Sequence, residues 1–255
     1  MRHTPAALYQ TLAYGEDSAQ CGDLYQPAGP VRGLICLLHG GFWTMPYDRS
    51  QLNKMAQHLV ADGWLVWNIE YRRVPVPGAG FPGTCDDVVT AINHLLSALT
   101  DAQRQSLPLY VVGHSAGGHL ALWLNSCRER LLVAPRLIIA LAPVVDLVAN
   151  HQDAQRRPFI EAFIGGSLAD HPDRYAQASP LALASAEGHL RVLHGAADEM
   201  LPLSEVEHYV RQVQACGGDI SLTVIPQGRH MDFTDLRSPS FAAFKTLLDS
   251  DNAGS

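Results

Sequence analysis

Leu109-Tyr110-Val111-Val112-Gly113-His114-Ser115-Ala116-Gly117-Gly118 is the stretch on which the reading of this chain turns. Its apolar first half, rich in Val and Tyr, predicts a short buried strand. The run passes into Gly113-His114-Ser115-Ala116-Gly117, a G-x-S-x-G pattern, and Ala116 to Cys127 predicts a helix behind it, with Leu120, Ala121, Leu122, Trp123 and Leu124 as its apolar content. Strand, sharp turn and helix make the pattern a nucleophile elbow. Such a turn leaves no room for side chains at Gly113 and Gly117. Ser115 then sits at the apex, with the N-terminus of the helix behind it.

The alternation repeats outward from there. Val31 to Leu38 is a continuous apolar run, as a strand covered on both faces requires, and it ends in His39-Gly40-Gly41-Phe42-Trp43. Ser50 to Asp62 reads as a helix closed by Gly63, and Trp64 to Ile69 as the next strand. Thr84 is the expected cap of a helix whose buried face carries Val88, Val89, Ile92, Leu95, Leu96 and Leu99. Pro135 to Leu141 and Leu190 to Leu193 are further strands. Ser204 to Ala215 is a helix, Ile220 to Ile225 the last strand, and Phe241, Phe244 and Leu247 mark a closing helix before a disordered tail. At the start, Gln20 to Tyr25 reads as an antiparallel strand, and Leu8, Leu12 and Tyr14 as anchors of a short helix or arm.

Between Val144 and Ala186 the rhythm breaks. The segment leaves the carboxyl end of a central strand and is too long for an ordinary connection, so it is expected to form a small cap after the sixth strand. The whole chain, 1–255, is otherwise expected to be one α/β domain: a mostly parallel central sheet with helices on both faces, and 144–186 as its cap insertion.

In such sheets ligands bind beyond the carboxyl ends of the strands. His39-Gly40-Gly41, Ser115, Asp198 and His230 all follow strands, so one edge gathers them. A serine hydroxyl is a weak nucleophile at neutral pH and needs a base, and the base needs an acid to orient it. His230 lies in Gln227-Gly228-Arg229-His230-Met231, a loop that can hang back over the edge, and is the expected base. His39 and His194, before glycines at strand ends, suit structural bonds to the backbone. Asp198 precedes the base in the order Ser, Asp, His and is the expected acid, with Glu199 and Asp146 as rivals. Acyl transfer builds charge on a carbonyl oxygen, which fixed amide donors must meet. Ala116, Gly41 and Phe42 are the expected oxyanion hole. Gly40, Trp43, His114, Met200 and Met231 are the expected substrate contacts, and Arg72 is expected to pair with Asp86 or Asp87 rather than hold a substrate.

Together, His39-Gly40-Gly41-Phe42-Trp43 and Gly113-His114-Ser115-Ala116-Gly117-Gly118 resemble the α/β-hydrolase superfamily, in particular the branch that holds kynurenine formamidases (arylformamidases) and hormone-sensitive-lipase-like esterases. The resemblance covers the chain from about Val31 onward. The H-G-G-x-W form is more similar to the formamidase pattern than to H-G-G-G, where a third glycine stands at Phe42. It implies an α/β-hydrolase fold, Ser115 as nucleophile, Asp198 as acid, His230 as base, and no cofactor.

The bulk composition narrows the partners. With 18 basic and 25 acidic residues the formal charge is −7, and no basic run stands out, so nucleic acid and anionic membrane are poor partners. Five scattered cysteines without a C-x-x-C pair read as free thiols of a reducing compartment. No leader or spanning segment is apparent, and His151, His171 and His189 lack metal-ligand spacing. The expectation is a cytoplasmic serine hydrolase without metal, acting on a small-molecule ester or activated amide. Carboxylesterase is the broad activity, arylformamidase the sharpest rival, and acyltransferase or non-catalytic scaffold the other classes. A homodimer through the last strand or the cap stays open.

Overall fold

Successive residues of a strand point to opposite faces, so an unbroken apolar run needs a core on each side. The computed structural model describes residues 8–253. In it Leu34, Cys36 and Leu38 enter one core, while Ile35 and Leu37 enter the other. The strands are β1 (Leu8–Ala13), β2 (Cys21–Gln26), β3 (Leu34–Leu38), β4 (Leu65–Ile69), β5 (Leu109–His114), β6 (Leu137–Leu141), β7 (His189–Gly195) and β8 (Asp219–Ile225). The described residues form an eight-stranded sheet in the order β1-β2-β4-β3-β5-β6-β7-β8. β2 is antiparallel to β1 and to β4, and the remaining pairings are parallel.

The helices are α1 (Asn53–Ala61), α2 (Gly83–Ser97), α3 (Asp101–Ser106), α4 (Ala116–Asn125), α5 (Leu147–Gln152), α6 (Arg157–Ile164), α7 (Pro172–Ala178), α8 (Leu203–Ala215) and α9 (Pro239–Ala253). α1 and α9 cover one face with Met55, Leu59, Phe241 and Phe244. α2, α4 and α8 cover the other with Val88, Ile92, Leu120, Leu124, Val206 and Val210. This is the mostly parallel sheet with helices on both faces that the alternation predicts, and the α/β-hydrolase fold that the resemblance implies. The chain moves from β3 to β4 on one side and returns to β5 on the other, so the sheet's order reverses between β3 and β5. The crevice outside that reversal is where open α/β sheets bind ligands.

The segment after β6 folds as α5, α6 and α7, and Ile160, Phe163, Ile164 and Tyr175 join the α2/α4 core. Backbone bonds tie it down: Phe81 N–H donates to the Phe163 carbonyl at 2.7 Å, and Leu181 N–H to the Val145 carbonyl at 2.9 Å.

Several local expectations need correction. Leu8–Ala13 is an edge strand, not a helix or arm; Tyr9 stacks on Tyr25 across the pair, a partner that local sequence cannot reveal. The helix expected from Ser50 begins as a 3-10 turn, Arg49–Leu52, whose Ser50 amide is capped by the Asp48 side chain while the Arg49 amide donates to Glu70. Thr84 does not cap α2: its hydroxyl donates to the Arg72 carbonyl at 2.6 Å and accepts from the Gly80 amide at 3.0 Å. α9 continues to Ala253 where a disordered tail is expected, because Asp251 accepts from Tyr110 and Arg136. The tail's last residues, 254–255, lie outside the described residues, as do residues 1–7. No helix among the described residues is long and apolar enough to cross a membrane.

Candidate active site

β5 ends at His114 and α4 starts at Ala116, leaving a single residue for the turn. Ser115 takes φ 55°, ψ −116° to make it. For a non-glycine residue that conformation costs roughly 1–3 kcal/mol and persists only where the surroundings over-determine it. They do so with backbone. A Cβ at Gly113 would stand 2.0 Å from the Gly117 carbonyl oxygen, and one at Gly117 would stand 2.0 Å from that of Leu38. Ser115 N–H donates to the Leu141 carbonyl at 2.9 Å. The Ser115 side chain lies at the floor of a cavity, with the residue only 4% exposed.

Three elements converge on it. His230, opening the 3-10 turn after β8, places Nε2 2.9 Å from Ser115 Oγ. Its Nδ1 lies 2.8 Å from Asp198 Oδ2, in the loop after β7. The other carboxylate oxygen of Asp198 accepts from the amides of Met200 and Leu201, each at 2.9 Å. Burial alone would raise the Asp198 carboxyl. The bond from His230, the attraction of that imidazole and the two amide bonds outweigh it, and hold the carboxyl below its ordinary range. His114 braces His230 from behind, its Nε2 donating to the His230 carbonyl at 2.9 Å. Burial first, and repulsion from His230 second, keep His114 neutral down to about 4.

The rivals for the acid are occupied elsewhere. Asp146 accepts the amides of Val148 and Ala149 and so caps α5. Glu199 faces Arg229 across 3.6 Å at the surface.

The turn after β3 lies beside the serine. A Cβ at Gly40 would come within 3.0 Å of Ser115 Cβ, so glycine there permits close approach. Gly41 has φ 109°, and Phe42 and Trp43 follow at 52° and 56°. Among the described residues the amides of Gly41, Phe42 and Ala116 donate to no backbone or side-chain acceptor. Beneath the turn is a buried polar network. His39 Nδ1 donates to the Gly40 carbonyl at 2.7 Å, and its Nε2 faces Glu70 Oε1 at 2.8 Å. Tyr71 stacks on the His39 ring at 4.3 Å, and its hydroxyl donates to the His39 carbonyl. Burial pushes the Glu70 carboxyl up, but the bond and charge of His39, the Arg49 amide and Arg73 bring it below its ordinary range.

A cavity of about 150 Å³ opens over the serine, lined by Gly41, Phe42, Tyr47, Gln51, His114, Ser115, Met200, His230 and Met231. A second, of about 430 Å³, shares Phe42 and Met200 with it and extends past Phe159, Arg156 and Pro202. Met200 and Met231 therefore stand where substrate contacts are expected. Trp43 does not: it is 0% exposed, stacked on Phe163 at 4.2 Å and edge-on to His119 at 4.8 Å. Its positive φ turns the ring away from the opening and into the core. Gly40 lies against Ser115 rather than on the cavity wall; His114 does line the cavity, with its Nε2–H used on His230. Arg72 pairs with Asp87, at 2.7 Å. Sequence reasoning passed over Tyr47, Gln51 and Glu70, which have no motif. Phe159 and Phe163 are legible in the sequence as part of the apolar cluster Phe159, Ile160, Phe163 and Ile164 of the cap segment, but nothing there links their four-residue spacing to the turn after β3.

The BD-FAE family model matches residues 23–212. Esterase LipQ of Mycobacterium tuberculosis (strain ATCC 25618 / H37Rv) is 28% identical over 210 residues, 77% of this chain and 49% of that protein. The chain thus spans about half the length of that relative. Kynurenine formamidase of Danio rerio is 24% identical over 249 residues, 93% of this chain and 80% of that protein. Among solved structures, a truncated carbohydrate esterase from gut microbiota superposes with a TM-score of 0.80 at 17% identity, covering 99% of both chains; that likeness speaks for the fold.

Proposed function

The chain belongs to the BD-FAE family, and from that premise we propose that it is a serine hydrolase of small carboxylic esters, with Ser115, His230 and Asp198 as its catalytic triad. The observation that carries this is the unbroken series of hydrogen bonds from Ser115 Oγ through His230 to Asp198, at 2.9 and 2.8 Å.

In this reading Ser115 Oγ attacks the ester carbonyl while its proton passes to His230 Nε2. Asp198 holds the ring in the tautomer that can accept it and stabilises the imidazolium that forms. The amides of Ala116, Gly41 and Phe42 meet the oxyanion. Collapse breaks the bond to the alcohol, which leaves with the proton from His230. Water, deprotonated by the same imidazole, then attacks the acyl-enzyme and releases the acid and free Ser115. Residues 144–186 act as the cap of a single hydrolase domain. A cavity of about 150 Å³ is benzene-sized, which suits a short acyl group.

The test is steady-state turnover of p-nitrophenyl acetate, butyrate and octanoate. Short esters should be fastest, and Ser115→Ala should lower kcat by on the order of a thousandfold or more. Equal rates in the variant and the wild type would sink the proposal. A second reading, arylformamidase, is favoured by His39-Gly40-Gly41-Phe42-Trp43 and by the formamidase relative. A large kcat/KM advantage for N-formylkynurenine over the esters would put it first.

A further inference from the structure

We infer that α6 sets the geometry of the oxyanion turn, with Phe159 and Phe163 as positioning residues that clamp Phe42 and Trp43. The inference rests on the reading above, in which that turn supplies amides to the oxyanion.

Phe42 and Trp43 are consecutive residues with side chains, both in the left-handed region, at φ 52° and 56°. Neither is of a type that visits this region readily; turns with both central residues at positive φ favour Gly and Asn, so the pair needs support from elsewhere. Backbone bonds close the turn around the pair, Thr44 N–H donating to the Gly41 carbonyl at 3.0 Å with Phe42 and Trp43 at the two central positions, and Val74 N–H to the Trp43 carbonyl at 2.9 Å, but they leave the cost of two bulky residues at positive φ unmet. The side chains are held from outside. Phe42 stacks on Phe159 with centroids 4.5 Å apart and planes 17° apart, and Trp43 on Phe163 at 4.2 Å and 20°. Phe159 and Phe163 are four apart in α6 and share one face of it. α6 is itself fixed, since the Phe163 carbonyl accepts from Phe81 and the Ile164 carbonyl from Arg174 at 2.7 Å.

Rotation about the N–Cα bond of Phe42 turns the peptide plane that carries its amide. Holding the ring holds that angle, and so aims the amide. Without the stack the residue relaxes towards negative φ and the donor swings off the oxyanion. The loss falls on the transition state, which carries the charge, and not on substrate binding.

The experiment uses ethyl acetate followed by titration of released acid, because neither half of this ester is large enough to need Phe159. Phe159 is 36% exposed, so truncation there is compatible with folding; Phe159→Leu, which keeps apolar bulk without a ring, serves if Phe159→Ala does not fold. Either truncation should lower kcat about tenfold with KM within about twofold, and Phe159→Tyr should restore most of the loss, a partial version of removing an oxyanion donor. Glycine adopts positive φ freely, so in a Phe42→Gly background the same truncation should change kcat by less than about twofold. Unchanged kcat, a change confined to KM, or an equal loss in both backgrounds overturns the clamp. Ser115→Ala is run alongside. If the wild type has no Ser115-dependent turnover, the hydrolase reading falls and the clamp with it. If it has such turnover and the Phe159 variants keep wild-type kcat, only the clamp falls.

Discussion

Two turns meet at the candidate site, one after β5 and one after β3, and both hold residues at positive φ. In the elbow, Ser115 at 55° is trapped by main chain: Gly113, Gly117 and the Leu38 carbonyl leave no other path. In the neighbouring turn, Phe42 and Trp43 are held by rings of α6, more than a hundred residues further along. The first is a local solution written in glycines. The second is a tertiary solution written in a helix whose own sequence says nothing of a turn. Backbone packing resists any added atom. Side-chain packing yields gradually.

The sharpest way to break this contrast is Gly117→Ala. Its Cβ would meet main chain at 2.0 Å, from Leu38, and at 2.5 Å, from His39, neither of which can swing aside. The expected loss is at least about 3 kcal/mol in urea unfolding, or failure to fold; a loss under about 1 kcal/mol would mean the elbow is pliable.

Acid should weaken both regions together. His114 belongs to the elbow and His119 packs against Trp43 of the other turn, and burial holds each to about 4. Unfolding raises both towards an ordinary value of about 6.5, so the unfolded chain takes up protons. Their contribution is full above about pH 6.5 and is lost as pH falls towards 4, up to about 3 kcal/mol for each. The depressed carboxyls of Glu70 and Asp198 add to the loss only below their ordinary ranges. Urea midpoints measured from pH 7 to 5 should fall steadily, and His119→Gln should flatten the slope by about half. An unchanged slope would show that the His119 imidazole is not what titrates.

The smallest effect on stability belongs to Gly41→Ala. The added methyl would meet Tyr47 Cβ at 2.3 Å, so the half-exposed Tyr47 must shift with its backbone to admit it, and φ 109° remains unfavourable. About 1–2 kcal/mol of stability should go, with a larger fall in kcat than in the unfolding midpoint. Destabilisation equal to that of Gly117→Ala would erase the distinction between the two turns.

This contrast also explains what could be read in advance. β3, β6 and the first four residues of β5 are apolar without interruption, so burial on two faces is legible in the sequence alone. Ser115, Asp198 and His230 each follow a strand of a parallel sheet, and parallel strands end on one edge; their approach to within hydrogen-bond distance follows from that order. Trp43 was misplaced for the opposite reason. Its position in the chain puts it next to the proposed oxyanion donors, but its ring runs into the core against Phe163 of α6. β1 was missed because its partner strand and Tyr25 lie across a turn with no periodic signature.

By itself, then, the sequence determined the mostly parallel α/β sheet, the elbow and the shared edge that assembles the candidate triad, because strand burial and tight turns depend on residues near one another in the chain. Only the tertiary structure decided the direction of Trp43, the bracing of His230 by His114, the buried His39–Glu70 pair and the stacking of α6 on the turn after β3. Each of these depends on a side chain meeting a partner brought near by folding, and spacing along the chain carries no record of that meeting.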